Sequence, residues 1–232
     1  MQAQIIAMGG GGFSTEPANL KLERYILAQA RRPTPRVCFL ASGSGDPNGY
    51  TVRYYSAFNS LDCKPSHLSL FKLPSADLAS FLLDQDVVYV GGGNTRSLLG
   101  LWMEWDLDRH LRTAWENGVI LAGTSAGAMV WYEEGLTDSL PNQLVPLACL
   151  GFLSGSYCPH FSSEEDRAPK FRSLIATGAM SSGVGVDDGV ALHYMGNDLH
   201  AAVAARQNAG ARFIDRVNGT VEEREVEVHL LK

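Results

Sequence analysis

The chain has 232 residues, 45% of them hydrophobic and 19% charged, which suits one globular domain with a buried core and excludes a disordered or fibrous chain. Its formal net charge is −6 and it carries no dense Lys/Arg block, which argues against a nucleic-acid or anionic-membrane partner. No apolar run approaches the roughly 18 residues that a membrane span needs.

The N-terminal MQAQIIAMGGGG lacks a basic leader, and its apolar part is too short for a signal peptide. It reads as a first strand ending in a glycine turn. Further short apolar runs at 37–41, 87–90 and 119–122 resemble the first, at 3–8: each stops at Gly or Ser, as buried parallel strands do. Helix-compatible stretches lie between them, at 17–31 (opened by Pro17), 50–61, 75–83 and 95–117. This alternation predicts a doubly wound α/β fold with a mostly parallel sheet. Past residue 180 the texture changes to short strands, with Asn197-Asp198 and Asn218-Gly219 as hairpin turns. The C-terminal third is therefore expected as an antiparallel extension of the same sheet. No repeat or linker divides the chain, so 1–232 reads as one domain. Cys38, Cys63, Cys149 and Cys158 have no C-x-x-C spacing. They read as free thiols in a reducing compartment, which predicts a cytoplasmic protein.

The strongest chemical signal is VILAGTSAGAMVWY at 119–132. An apolar strand runs into Gly123-Thr124-Ser125-Ala126-Gly127 and then into a helix-compatible segment. This is the context of a nucleophile elbow, where glycines permit a sharp turn that leaves a serine hydroxyl exposed. The competing reading is a tight turn whose serine merely caps a helix. A second glycine turn, Gly91-Gly92-Gly93-Asn94-Thr95, follows the strand VVYV. Loops at strand carboxyl ends face one crevice in such sheets, so backbone N–H groups of Gly92 or Gly93 are candidates to join that of Ala126 around an oxyanion. Gly92 and Asn94 then line the substrate. No G-K-[ST] follows either glycine turn, which excludes a P-loop, and Gly9–Gly12 fits a dinucleotide fingerprint poorly.

A serine nucleophile needs a base. Of the six histidines, His160 in Tyr157-Cys158-Pro159-His160-Phe161 stands at the end of a strand, restrained by proline. His110 and His229 read as surface residues. His193 and His200 flank a turn, which raises a zinc alternative on a weak ligand set. The third member is to be sought among Glu133, Glu134, Asp138, Glu164, Glu165, Asp166, Asp187 and Asp188. Adjacent carboxylates on an extended chain point to opposite faces, so one of Asp187 and Asp188 is expected to reach the histidine.

YVGGGNT, GTSAGA, CPHF and GVDDG, in this order and spacing, resemble the peptidase E (aspartyl dipeptidase) family, which includes the cyanophycinases. The likeness covers about residues 86–195. It implies an α/β fold akin to class I glutamine amidotransferases, with serine where those enzymes carry cysteine. Transferred by position, it implies Ser125 as nucleophile, His160 as base, and Gly93 and Ala126 as oxyanion donors. The family's third member is a glutamate in G-x-x-E. Asp188 stands there in this chain, one methylene shorter. A further carboxylate falls on Asp138. The implied substrates are short peptides with N-terminal or β-linked aspartyl residues. Arg167 and Arg172 are the expected cations for the substrate carboxylate, and Glu164 to Asp166 the group for its amine. The implied chemistry requires no metal or organic cofactor. The expected partner is a small peptide, with the chain a monomer or homodimer. Two rivals stand: an α/β-hydrolase esterase using Ser125, Asp138 and His160, and a non-catalytic binding module on the same fold.

Overall fold

The structure is a computed structural model that describes residues 2–73 and 77–232. In chain order its elements are β1 (Gln4–Met8), α1 (Lys21–Ala28), β2 (Arg36–Leu40), α2 (Asn48–Phe58), β3 (Lys64–Leu68), α3 (Leu78–Leu83), β4 (Val87–Val90), α4 (Thr95–Glu104) and α5 (Leu107–Glu116). There follow β5 (Ile120–Thr124), α6 (Ala126–Met129), β6 (Tyr132–Leu140), β7 (Gln143–Ala148), β8 (Leu153–Cys158) and α7 (Arg167–Thr177). The chain ends with β9 (Gly183–Val186), β10 (Val190–Met195), β11 (Asp198–Ala204), β12 (Ala211–Val217), β13 (Thr220–Glu225) and β14 (His229–Leu230).

The main sheet has eight strands in the order β14-β11-β10-β1-β5-β4-β2-β3. The block from β1 to β3 is parallel, and its inner strands are apolar on both faces for a reason visible in the packing. Ile5, Ala7, Val88, Val90 and Leu121 face one core with α3, α4 and α5. Ile6, Met8, Val87, Tyr89 and Ala122 face another with α1 and α2. Each fully buried side chain of this kind contributes roughly 1.5–3 kcal/mol, so neither face tolerates polar alternation. Helices on both faces make the sheet doubly wound.

The C-terminal third departs from expectation. β10 and β11 do extend the main sheet antiparallel to β1 and to each other. But β9, β12 and β13 leave it for a second sheet of six strands, ordered β13-β12-β9-β8-β6-β7. One face of this sheet joins the first core through Tyr157, Val184 and Val186. The other, with Leu136, Cys158 and Ile214, packs on Phe171 and Ile175 of α7. Asn218 and Gly219 have φ of 51° and 84°, the paired left-handed turn that their sequence predicts.

Other boundaries shift locally. The stretch 95–117 is two helices, parted where Asp106 takes φ 50°. The helix expected from Pro17 begins at Lys21, and the segment after Ser125 is a single turn that gives way to β6. Of the helix expected at 75–83, residues 75 and 76 lie outside the described residues. The four cysteines are free thiols, with burial pushing Cys38, Cys149 and Cys158 up to about 12. Among the described residues no helix is long and apolar enough to cross a membrane.

His193 is fully buried on β10. Its Nε2 meets Gln4 Oε1 at 3.0 Å and its Nδ1 meets the Tyr25 hydroxyl at 2.9 Å, so both ring nitrogens are engaged within the fold. Burial, with His200 nearby, lowers its pKa to about 4, against about 6.5 in an unfolded chain. Between these values the unfolded state binds the extra proton, so stability falls as pH drops from about 6.5 to about 4, by of order 3 kcal/mol. A neutral glutamine can make both contacts. Urea titrations of His193→Gln should therefore show a flatter stability profile over this window than wild type. An identical slope would show that another group governs the acid limb.

Candidate active site

The site is organised by the segment that leaves β1. Its carbonyls accept in succession: Met8 O from the Ser125 N–H at 3.0 Å, Gly9 O from the His160 N–H at 3.1 Å, and Gly10 O from the Gly189 N–H at 3.0 Å. Three parts of the chain that are remote in sequence are thereby pinned to three consecutive residues. The glycines there are a steric requirement. A Cβ on Gly9 would overlap the carbonyl oxygens of Val186 and Asp187, and one on Gly10 would overlap Asp188 Oδ1 and stand 2.6 Å from the His160 ring.

Ser125 sits between β5 and the single turn α6 with φ 55° and ψ −119°, a strained conformation for a residue with a side chain. The flanking glycines make it possible. A Cβ on Gly123 would overlap Gly127 O, and one on Gly127 would lie 2.8 Å from Gly91 O. His160 also has positive φ, at 53°. Here the strain turns the imidazole back over Gly10 as the chain leaves β8.

His160 Nε2 lies 2.7 Å from Ser125 Oγ, and Nδ1 lies 2.6 Å from Asp188 Oδ1. The histidine and aspartate side chains are 22% and 23% exposed, so the pair is largely shielded from water yet still open to it. The hydrogen bond from His160 holds the Asp188 carboxyl below its usual range, helped by the Ser163 hydroxyl and the charge of Arg206. An ionised carboxylate can only accept, so Nδ1 donates to it and the neutral ring offers its Nε2 lone pair to the serine hydroxyl.

The two adjacent aspartates diverge as expected. Asp187 turns away, with Oδ2 accepting the Gly210 N–H at 3.0 Å. The shorter Asp188 reaches the histidine because Gly189 is tied to Gly10, whose missing side chain leaves the space that the carboxylate fills. Asp138 is not brought to the imidazole. It is 64% exposed and 3.4 Å from Arg167 Nη2, which removes the order Ser125, Asp138, His160 that an α/β-hydrolase esterase would need.

The second glycine turn packs against the first site element. A Cβ on Gly92 would lie 3.4 Å from Ser125 Cβ and 3.8 Å from its Oγ, and Gly93, at φ 140°, abuts the Gly43 carbonyl. Gly92 O faces Gly43, and the peptide is trans. The Gly93 N–H therefore points away from Gly43.

The substrate-binding candidates fare differently. Asn94 caps α4, its Oδ1 taking the Ser97 N–H at 2.9 Å and its Nδ2 donating to Ser139 O at 2.9 Å. Arg167 is 3% exposed, bonded to Glu164 Oε2 at 2.5 Å and Leu136 O at 3.1 Å besides Asp138. Arg172 forms a two-point pair with Glu223, at 2.5 and 3.0 Å, over the Phe161 ring. Both arginines are thus committed to holding α7 on the second sheet. Neither projects a free guanidinium, contrary to the expectation of a substrate clamp. Sequence reasoning missed the service of Gly9 and Gly10. Four consecutive glycines directly after an apolar strand were the available signal.

The model of Peptidase family S51 matches residues 5–202. The chain belongs to this family. It is 57% identical over 208 residues, 90% of each chain, to the uncharacterized peptidase YgaJ of Bacillus subtilis (strain 168). It is 29% identical over 136 residues to the peptidase E of Shewanella amazonensis (strain ATCC BAA-1098 / SB2B), covering 53% of this chain and 57% of that one. Among solved structures, a peptidase from an acI-B1 actinobacterium superposes with TM-score 0.70 at 21% identity, covering 98% of this chain and 95% of that one. A putative peptidase E from Listeria monocytogenes EGD-e gives 0.60 at 16% identity, over 98% and 100%. These two likenesses establish a shared fold.

In this family S51 chain the Gly10 contact carries a direct expectation. Gly10→Ala should displace the His160–Asp188 pair and lower peptide hydrolysis by roughly a hundredfold or more. Gly100→Ala, where a Cβ meets nothing within 4 Å, serves as control and should keep wild-type rates. Equal rates for the two variants would contradict the steric argument.

Proposed function

We propose that this chain is a serine-type peptidase that hydrolyses short peptides, dipeptides among them, through Ser125, His160 and Asp188. The observation that carries the reading is the unbroken line from Ser125 Oγ to His160 at 2.7 Å and from His160 to Asp188 at 2.6 Å, with the serine directly after β5. His160 takes the Ser125 proton as Oγ attacks the scissile carbonyl, and Asp188 stabilises the imidazolium that results. The Gly93 and Ala126 N–H groups hold the oxyanion. His160 then gives its proton to the departing amine. Water, activated by the same imidazole, cleaves the acyl-enzyme and restores the serine.

A preference for an N-terminal aspartyl residue is the finer part of the proposal and rests on the resemblance to peptidase E. Within this chain a substrate carboxylate would compete with Asp138 and Glu164 for the buried Arg167. Unpaired burial of either charge is unfavourable. Selectivity for Asp over Asn at that place therefore requires Arg167 to exchange one protein carboxylate for the substrate's.

The test is a panel of Asp-Leu, Asn-Leu, Ala-Leu and β-Asp-Leu assayed for free amino acid. Ser125→Ala should fold normally and lose activity by several orders of magnitude. Asp188→Asn should weaken kcat severely, because an amide cannot stabilise imidazolium, while Asp187→Asn leaves kcat within a few-fold. Retention of more than about a tenth of wild-type kcat/KM by Ser125→Ala would sink the mechanism. Equal cleavage of Asp-Leu and Ala-Leu would remove the acidic preference alone.

A further inference from the structure

Gly189, the residue after Asp188, takes φ 80° and is held from two sides. Its N–H donates to Gly10 O at 3.0 Å, and its carbonyl accepts the Ala205 N–H at 2.8 Å. The side chain of the next residue, Arg206, lies against it: a Cβ on Gly189 would stand 3.0 Å from Arg206 Cγ and Cδ. The Arg206 guanidinium then pairs with Glu16 Oε1. Glu16 in turn lies beside Gly11, where a Cβ would stand 3.3 Å from that same oxygen and 3.2 Å from Gly189 N. Asn19 Nδ2 completes the bracket, donating to Glu16 Oε2 at 3.2 Å and to Ala205 O at 3.3 Å.

The bracket spans Gly11 and Gly189, which adjoin the two residues, Gly10 and Asp188, that meet at the His160 ring. Gly11 and Gly189 both have positive φ and no side chains to lock them, so their hold must come from neighbours. The side chains of Arg206 and Glu16 are 40% and 25% exposed, so trimming either opens no cavity in the core. The ion pair also places two opposite charges near the active line. A proton added to the linked Ser125, His160 and Asp188 adds positive charge, which the Arg206 cation opposes and the Glu16 anion favours. The other charged side chains on the segments packed there are engaged elsewhere or exposed. Glu23 accepts the Phe13 N–H, Asp187 the Gly210 N–H, and Glu164 pairs with Arg167, while Glu165 and Asp166 face solvent.

We infer that Arg206 and Glu16 are positioning residues, whose ion pair clamps Gly189 to the glycine segment and so holds Asp188 on His160. This rests on the serine-peptidase reading above. Neither side chain touches Ser125 or His160. Both act through the placement of Asp188 and through the charge they set beside it, so their effect falls on the chemical step and not on peptide binding.

The test is a double-mutant cycle of Arg206→Met, which keeps an apolar stem against Gly189, and Glu16→Gln, read in dipeptide hydrolysis across pH. Each single variant should lower the plateau kcat roughly three- to tenfold, with KM changed by no more than about twofold. Because the two act through one contact, the double variant should be no slower than the worse single one. The midpoint of the acid limb of kcat/KM should rise by roughly 0.3–0.6 unit in Arg206→Met and fall by a similar amount in Glu16→Gln. A general loosening of the fold has no reason to move the two midpoints in opposite directions. Additive losses of kcat, midpoints that move the same way, or an unchanged kcat in both variants overturns the inference. Arg206→Lys keeps the charge and supplies a second test should Arg206→Met not fold. It should keep the wild-type midpoint to within about 0.2 unit and lose less kcat than Arg206→Met, and a midpoint shifted upward there counts against the inference equally. If wild type is inert the peptidase reading fails, whereas an active wild type matched by these variants defeats only the role of the ion pair.

Discussion

Three backbone carbonyls in a row, those of Met8, Gly9 and Gly10, are the constraint on which the rest of the site depends. Each accepts an N–H from a different part of the chain, near Ser125, His160 and Asp188. A serine–histidine–carboxylate line tolerates displacement by only a fraction of an ångström, and its members here come from β5, the end of β8 and the end of β9. Side-chain packing alone would leave each strand free to settle by itself. Backbone hydrogen bonds to one short rigid segment index all three to the same ruler. The second sheet gains its meaning from this arrangement, because β8 and β9 exist side by side to bring His160 and Asp188 to their carboxyl ends together.

This indexing has energetic consequences that the fold absorbs elsewhere. Ser125 and His160 both hold positive φ, each at a cost of order 1–3 kcal/mol. Beneath the same glycine segment Glu23 is fully buried, its Oε1 accepting the Phe13 N–H at 2.7 Å. Burial raises its pKa to about 6. The folded state therefore holds a proton that the unfolded state loses first, and stability declines as pH rises from about 4.5 to about 6. A buried carboxylate with one unpartnered oxygen is an expensive anchor for a loop. Its retention fits a segment whose position matters more than local stability. The Phe13 ring, next to the N–H that this carboxylate accepts, packs against Phe39, Tyr54 and Phe58, and that cluster supplies compensating apolar burial.

Much of this was legible in the chain itself. Continuous apolar runs such as VVYV and QIIAM announce strands buried on both faces, and the elbow at Ser125 announces itself because every one of its requirements is local. Alternation alone separated Asp187 from Asp188 only as opposite faces; the resemblance to peptidase E singled out Asp188, and the structure bonds it to His160 while Asp187 accepts from Gly210. The second sheet was not legible. β6 and β7 mix charged, small and apolar residues because one of their faces is solvated, and β9 reads no differently from strands of the main sheet. The roles of the arginines were also out of reach. Arg167 looks like a free cation on a helix face until Asp138 and Leu136, on a distant strand, are folded against it. The need for glycine at position 10 likewise exists only once His160 and Asp188 have arrived.

The central claim is that one serine hydroxyl, activated by this aligned set, carries the chemistry. It is tested most directly by treating the protein with a fluorophosphonate, following residual peptidase activity, and mapping the phosphonylated residue by peptide mass spectrometry. The account predicts one adduct per chain, located on Ser125, with activity lost in proportion to its formation. Full modification of Ser125 with activity intact, or loss of activity through an adduct on another residue, would contradict it.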